Sequence, residues 1–289
     1  MTSVTILLLG RALLGGAESF IITGALSWGL GRVDPESAGR VIAWIGMAMF
    51  AALALGAPIG TALYAMGGFA AIALATTLVP LATLLLVVPL RPVPPQPNAR
   101  PALVSVAGAV WLPGLAAAFA SVGFGAILAF GSLLFAERGW SPVWLAFSAF
   151  ATSLIVARVV CGHLPDRLGG ARVALVCALI EAAGLALVWL APGRVVAAAG
   201  AALAGFGYSL VYPGPGVEAV RRAPPESRGL AMDTYTACLD LALGFGSPAL
   251  GLIAARAGLA SVFLASALIV LCTTAIALRL LRAPAAEGR

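Results

Sequence analysis

Six ionisable side chains lie within long apolar stretches of this 289-residue chain: Arg11, Glu18, Arg158, Glu181, Asp233 and Asp240. A charge in such surroundings is expensive to keep, and where one is kept it is a functional candidate by default. Arg11 and Glu18 are seven residues apart, two turns along one face of a helix, and Asp233 and Asp240 repeat the spacing. A carboxyl group whose exposure alternates can take up a proton on one side of a barrier and release it on the other. Glu18 and Asp240 fall near the middle of their segments and are candidates for that chemistry. The alternative for Glu18 is a static ion pair with Arg11 that fixes helix packing. Asp233 lies nearer a segment end, where hydration is the simpler reading. Arg158 is also near an end and is expected to snorkel. Glu181 is expected to be held by a neighbouring group or water.

Other chemistry finds no support. No GxxxxGK[ST], GxSxG or HExxH pattern occurs, so neither nucleotide-driven pumping nor hydrolysis is indicated, and the chain does not read as an enzyme. Cys161, Cys177, Cys238 and Cys272 stand singly, without CxxC spacing, and His163 is the only histidine. Metal site, disulfide and cofactor are therefore not expected. The net charge of +6 comes from 17 basic residues, all arginine. They are scattered rather than clustered, unlike a nucleic-acid footprint.

The elements that must carry these residues follow from composition. Hydrophobic residues make up 62% of the chain and charged ones 10%, with mean hydropathy +1.06. Soluble chains carry about 25% charged residues, so the partner of most of this surface is the lipid bilayer. Apolar segments lie at about 3–30, 41–90, 102–136, 142–162, 172–191, 195–218, 229–255 and 259–281. The second is too long for one span of about 20 residues, and Gly67-Gly68 divides it. Nine spanning helices result. Pro58, Pro113, Pro213 and Pro248 fall inside them, as membrane helices tolerate. Arginines concentrate on alternate loops (Arg32, Arg40, Arg91, Arg100, Arg167, Arg172, Arg221, Arg222, Arg228) and at the C-terminus. That bias places the C-terminus in the cytoplasm. The proline-rich segment 91–101 is a semi-rigid linker, also cytoplasmic.

The chain repeats itself at an offset of about 190 residues. Gly10, Gly15, Gly24, Gly39, Gly56 and Gly68 meet Gly200, Gly205, Gly214, Gly229, Gly246 and Gly258. Pro35-Glu36-Ser37 meets Pro225-Glu226-Ser227, and Pro58 meets Pro248. About 17 identities fall in roughly 70 positions, a signal that precedes any fold assignment. Both copies run in the same direction, each with its Arg-rich loop inside. Three helices lead into the second copy and none into the first. The full plan is therefore expected to be six helices per half and twelve in all, with the first three not in this chain, either because Met1 is an internal methionine taken as the start or because the chain is truncated. Tyr208 occupies the repeat position of Glu18. If the halves face each other, Tyr208, Tyr212 and Phe124 line a central cavity; the alternative is packing or interface anchoring.

These features resemble the major facilitator superfamily of secondary transporters, over essentially the whole chain. Gly162-His-Leu-Pro-Asp166-Arg167-Leu-Gly169-Gly-Ala-Arg172 resembles its cytoplasmic loop signature between the second and third helices of a half. Gly10-Arg11-Ala-Leu-Leu-Gly15 resembles its fourth-helix motif. Leu55-Gly56-Ala57-Pro58-Ile59-Gly60 resembles the Gly-Pro motif of antiporter fifth helices. Gly205-Phe-Gly-Tyr-Ser-Leu-Val-Tyr-Pro213 and Asp240-Leu-Ala-Leu-Gly244 are similar to a bacterial branch related to arabinose-efflux permeases. The resemblance implies an all-α polytopic fold, with nine of twelve transmembrane helices present. Residues 1–90 form an incomplete N-terminal half (helices four to six), 91–101 the linker, and 102–289 a complete six-helix half. It implies proton-coupled efflux of a small solute across a bacterial inner membrane. The alternative is an N-terminally truncated fragment that does not transport. The loop is expected to latch the halves, Asp166 lying against the helix start near Ser37 and Arg40.

Overall fold

A computed structural model describes residues 4–30, 32, 38–90, 103–211, 213–222 and 228–282. Among them every regular element is an α-helix: α1 (Val4–Leu30), α2 (Ala38–Val87), α3 (Leu103–Glu137), α4 (Leu145–Cys161), α5 (Leu164–Leu168), α6 (Gly170–Leu190), α7 (Arg194–Val211), α8 (Pro213–Arg222), α9 (Arg228–Ala257) and α10 (Leu259–Arg282). A helix satisfies its own backbone N–H and C=O groups, which apolar surroundings cannot do. Among the described residues seven helices are long and apolar enough to cross a membrane. Two details connect seven with the nine expected. α2 holds 50 residues but breaks at Gly67 and Gly68, which divides it into two spans. α4, at 17 residues, falls at the short end of the spanning range of about 17–25. The chain is an all-α, multi-pass membrane protein.

The repeat reappears at two breaks, Gly68 and Gly258, with φ of 60° and 86°, which are separated by the sequence offset of 190. The left-handed backbone explains why glycine stands at both breaks. The single span expected at 195–218 is met by one apolar stretch long enough to cross a membrane, Arg194–Gly216.

Contacts sort the chain into two units, Met1–Met49 with Met66–Asn98, and Phe50–Ala65 with Ala99–Arg289. In the first, large apolar side chains such as Leu13, Phe20, Phe69 and Leu85 are exposed, as contact with lipid tails requires. In the second, the middle of α2 joins α3–α10: Phe50 is buried, and Ser148 Oγ donates to the Ala54 carbonyl at 3.0 Å. Its interior is built from small residues as much as large ones. α6 buries Gly170, Ala171, Ala174, Ala178, Ala182 and Gly184 and exposes Val176, Leu179, Trp189 and Leu190. In lipid there is no hydrophobic penalty for leucine outside, and close backbone packing drives association instead.

Candidate transport site

α7 is the element on which the site is built, and its glycines set how near the neighbours come. A Cβ at Gly205 would collide with the Phe150 carbonyl of α4, and one at Gly207 would lie 2.5 Å from the Cys177 carbonyl oxygen and the Glu181 nitrogen of α6. Gly200 faces Gly184 across the same interface. These approaches seat Tyr208 between α3 and α4. Its ring stacks on Phe124 (centroids 5.1 Å apart, planes 6° apart). Phe150 completes a three-ring group at 5.7 Å from Phe124 and 6.2 Å from Tyr208. Tyr208 Oη lies 3.5 Å from Ser121 Oγ, which donates to the Ala117 carbonyl at 2.7 Å. Two aromatic residues far apart in sequence are thus brought together. Tyr208 is buried and Phe124 half-buried. Tyr212 lies outside the described residues.

Next to this group, α4 and α7 exchange hydrogen bonds. Ser209 Oγ donates to the Leu154 carbonyl at 2.9 Å, and Arg158 Nη2 donates to the Ser209 carbonyl at 2.9 Å. The Arg158 guanidinium also stands over the Phe50 ring, 5.5 Å from its centroid. Arg158 was expected to reach outward to the interface. Instead it turns inward, because the Ser209 carbonyl and an aromatic face are both in reach and a guanidinium can serve them together.

The intramembrane acids are dispersed. α9 turns Cys238, Leu243 and Ser247 toward Gly114 and Gly125 of α3, which leaves Asp233 and Asp240 on its exposed side. Glu18 is exposed on α1. The Arg11 side chain lies outside what is described, and with it the Arg11–Glu18 pair. Glu181 is fully buried, and among the described residues no group holds either carboxyl oxygen. Neither its depth nor its lack of a partner was legible in the sequence, where α6 reads as a peripheral apolar span.

The two motifs behave differently. Gly56, Pro58 and Gly60 lie within unbroken helix, and a Cβ at either glycine would meet nothing within 4 Å. In the loop, Gly162 N–H donates to the Arg158 carbonyl at 3.0 Å, closing α4, and Gly169 N–H donates to the Pro165 carbonyl at 3.1 Å, closing α5. Gly169 has φ of 89°, which explains glycine there. Gly170 sits so near the Gly214 carbonyl that a Cβ would collide. Arg167 and Arg172 are exposed. The Asp166 side chain lies outside what is described, so the latch expected at Ser37 and Arg40 does too. On α8, Arg222 Nε donates to Glu218 Oε1 at 3.0 Å.

A sequence repeat, a Gly-rich loop and an all-helical membrane fold point one way, and the profile of the Major Facilitator Superfamily matches residues 1–232 and 139–289. The chain belongs to the major facilitator superfamily. It is 43% identical over 277 residues to an uncharacterized MFS-type transporter of Salmonella typhimurium, covering 96% of this chain and 71% of that protein. Similarity to the uncharacterized MFS-type transporter YhhS of Escherichia coli K12 is 39% over 283 residues, 98% of this chain and 70% of that one. A Burkholderia pseudomallei MFS-type transporter is 42% identical over 270 residues, 92% and 65% respectively. Within this superfamily the work is membrane transport of a solute, and the residues above are the parts of a transporter rather than of an enzyme.

Proposed function

We propose that this facilitator-superfamily protein exports a small solute from the cytoplasm in exchange for protons across a bacterial inner membrane. The C-terminus and the 91–101 linker lie inside. The observation that carries the reading is the Leu55–Gly60 run. It resembles the motif of antiporter fifth helices, and the open space beside Gly56 and Gly60 leaves that stretch free to repack as access alternates. Arg-rich alternate loops support the orientation. In this reading Glu18 and Asp240 carry protons, Arg11 tunes Glu18, and Asp233 is the hydrated acid nearer the cytoplasm. Phe124, Tyr208 and Tyr212 contact the solute. The loop of Gly162, Asp166, Arg167, Gly169 and Arg172 latches the inward side. One proton moving through 100 mV is worth about 2.3 kcal/mol, enough to hold an uncharged solute at a roughly 50-fold gradient, so no nucleotide is needed.

The test is transport by the full chain in everted membrane vesicles. Pentoses, amino acids and organic cations are offered as labelled solutes. At least one is expected to accumulate, to alkalinise the acidic lumen as it enters in exchange for protons, and to be lost on adding a protonophore; acidification on entry refutes exchange. Asp240→Asn is expected to lower the proton flux more than Asp233→Asn. Accumulation that survives the protonophore, or that occurs only in right-side-out vesicles, refutes the coupling or the direction respectively.

A further inference from the structure

Glu181 is the twelfth residue of the 21-residue α6, about 16 Å along the helix from its start and so near the middle of a span. It is 0% exposed, and neither carboxyl oxygen has a hydrogen-bond partner. Three other helices close over it. A Cβ at Gly123 of α3 would collide with Glu181 Oε1 and come within 3.2 Å of Val270 Cγ2 of α10, while Gly207 of α7 lies against the Glu181 backbone. One turn from Val270, Ser266 is also buried, and its Oγ also has no partner. Native structures rarely leave such groups unsatisfied without a reason.

The titratable and charged groups on these four helices do not supply a counter-charge. α6 carries Cys177 one turn earlier and Arg172 nine residues earlier, about 13 Å along the axis. α3 carries only Glu137, fourteen residues beyond Gly123 and about 21 Å away along the axis. α7 carries Tyr208, stacked on Phe124, and Arg194, thirteen residues before Gly207 or about 20 Å. α10 carries Cys272, which is exposed, then Arg279, nine residues past Val270 or about 13 Å, and Arg282 beyond it. No basic side chain on these helices is within ion-pair reach. An ionised carboxylate in such a place would be an uncompensated buried charge. Gly123 of α3 stands against the carboxyl and Gly207 of α7 against the backbone that carries it, so at these two points α3 and α7 can withdraw from α6 without unlocking a rotamer of their own.

We infer that Glu181 is a proton-binding site. Its O–H stays intact while α3, α7 and α10 cover it, and the proton passes to water, leaving carboxylate, when α3 or α7 moves away from α6. Its further role as a coupling group rests on the proton exchange proposed above. It differs from Glu18 and Asp240, which are exposed on their helices, in that only helix movement changes its surroundings.

Two measurements on the full chain in lipid bilayers test this separately. Infrared difference spectra between low and high pH are expected to contain a protonated-carboxyl C=O band that disappears in Glu181→Gln. Persistence of the whole band in that variant overturns the proton-binding site, whatever the transport data say. Solute-driven proton flux, set beside solute counterflow that needs no net proton movement, is expected to fall at least tenfold in Glu181→Gln with counterflow retained, and to recover partly in Glu181→Asp. Full flux in Glu181→Gln overturns the coupling role. Absence of proton flux in the unaltered protein instead defeats the proposed exchange and leaves the infrared result standing. If Glu181→Gln fails to assemble, mass spectrometry of the unaltered protein after treatment with an apolar carbodiimide replaces it. Modification at Glu181 supports an acid that becomes accessible, and none at any pH overturns it.

Discussion

Replacing Gly184 by alanine adds one carbon at a close crossing of α6 and α7. Its Cβ would meet the Ala204 nitrogen, the Gly200 carbonyl oxygen at 2.6 Å and the Ala204 Cα at 2.8 Å. Comfortable contact begins near 3.5 Å, so α7 must retreat by about 1 Å, and because all three atoms are backbone no rotamer can absorb the clash. A gap of that size forfeits a quarter to a half of each contact beside it. Overpacking of this kind costs about 1–3 kcal/mol. Alanine returns about 1 kcal/mol through its better helix propensity, leaving a net loss of up to about 2 kcal/mol. For a chain of this size about 1 kcal/mol moves Tm by some 2–4 °C, so thermal unfolding in detergent should show a drop of up to about 8 °C. Gly56→Ala is the internal reference. Nothing lies within 4 Å of its Cβ, so only the propensity gain remains and Tm is expected to hold or rise. Equal Tm values for the two variants, or a rise in Gly184→Ala, would show that α6 and α7 do not cross at Gly184 as described.

Other expectations follow from the same geometry. Arg158→Gln removes a charged donor from the Ser209 carbonyl and a cation from the Phe50 ring; a charge-assisted bond of this type is worth about 1.5–3 kcal/mol, and a similar loss is expected in chemical denaturation. Phe124→Ala breaks the stack on Tyr208, worth about 0.5–1.5 kcal/mol, and is expected to lower stability in chemical denaturation by a similar amount. Reporter fusions after Gln96 and after Arg282 are expected to read as cytoplasmic, and a periplasmic signal at either would invert the topology argument.

Much of the fold was legible along the chain because lipid imposes a one-dimensional rule. Where the solvent cannot hydrogen-bond, each apolar stretch must close its own backbone bonds as a helix. Span positions, the break at Gly67-Gly68 and the 190-residue repeat could therefore be read from composition and spacing alone, and the breaks at Gly68 and Gly258 fall at the same offset. The loop glycines were legible for a related reason, since a left-handed turn such as Gly169 admits few other residues.

Side-chain environment was decided only by tertiary packing. In a chain that is apolar on every face, periodicity does not say which side of a helix meets protein and which meets lipid. Thus Arg158, expected to face outward, turns in to Ser209 and Phe50, and Glu181, on a helix with no distinguishing polar face, is the carboxyl that four helices enclose. Phe124 and Tyr208 came together through a glycine-lined approach of α7 to its neighbours that no local pattern encodes. The sequence by itself determined that there are membrane helices, where they begin and that they repeat, since that follows from matching chain to solvent. Only the tertiary structure decided which side chains share an interior, because in lipid that choice rests on how closely backbones fit.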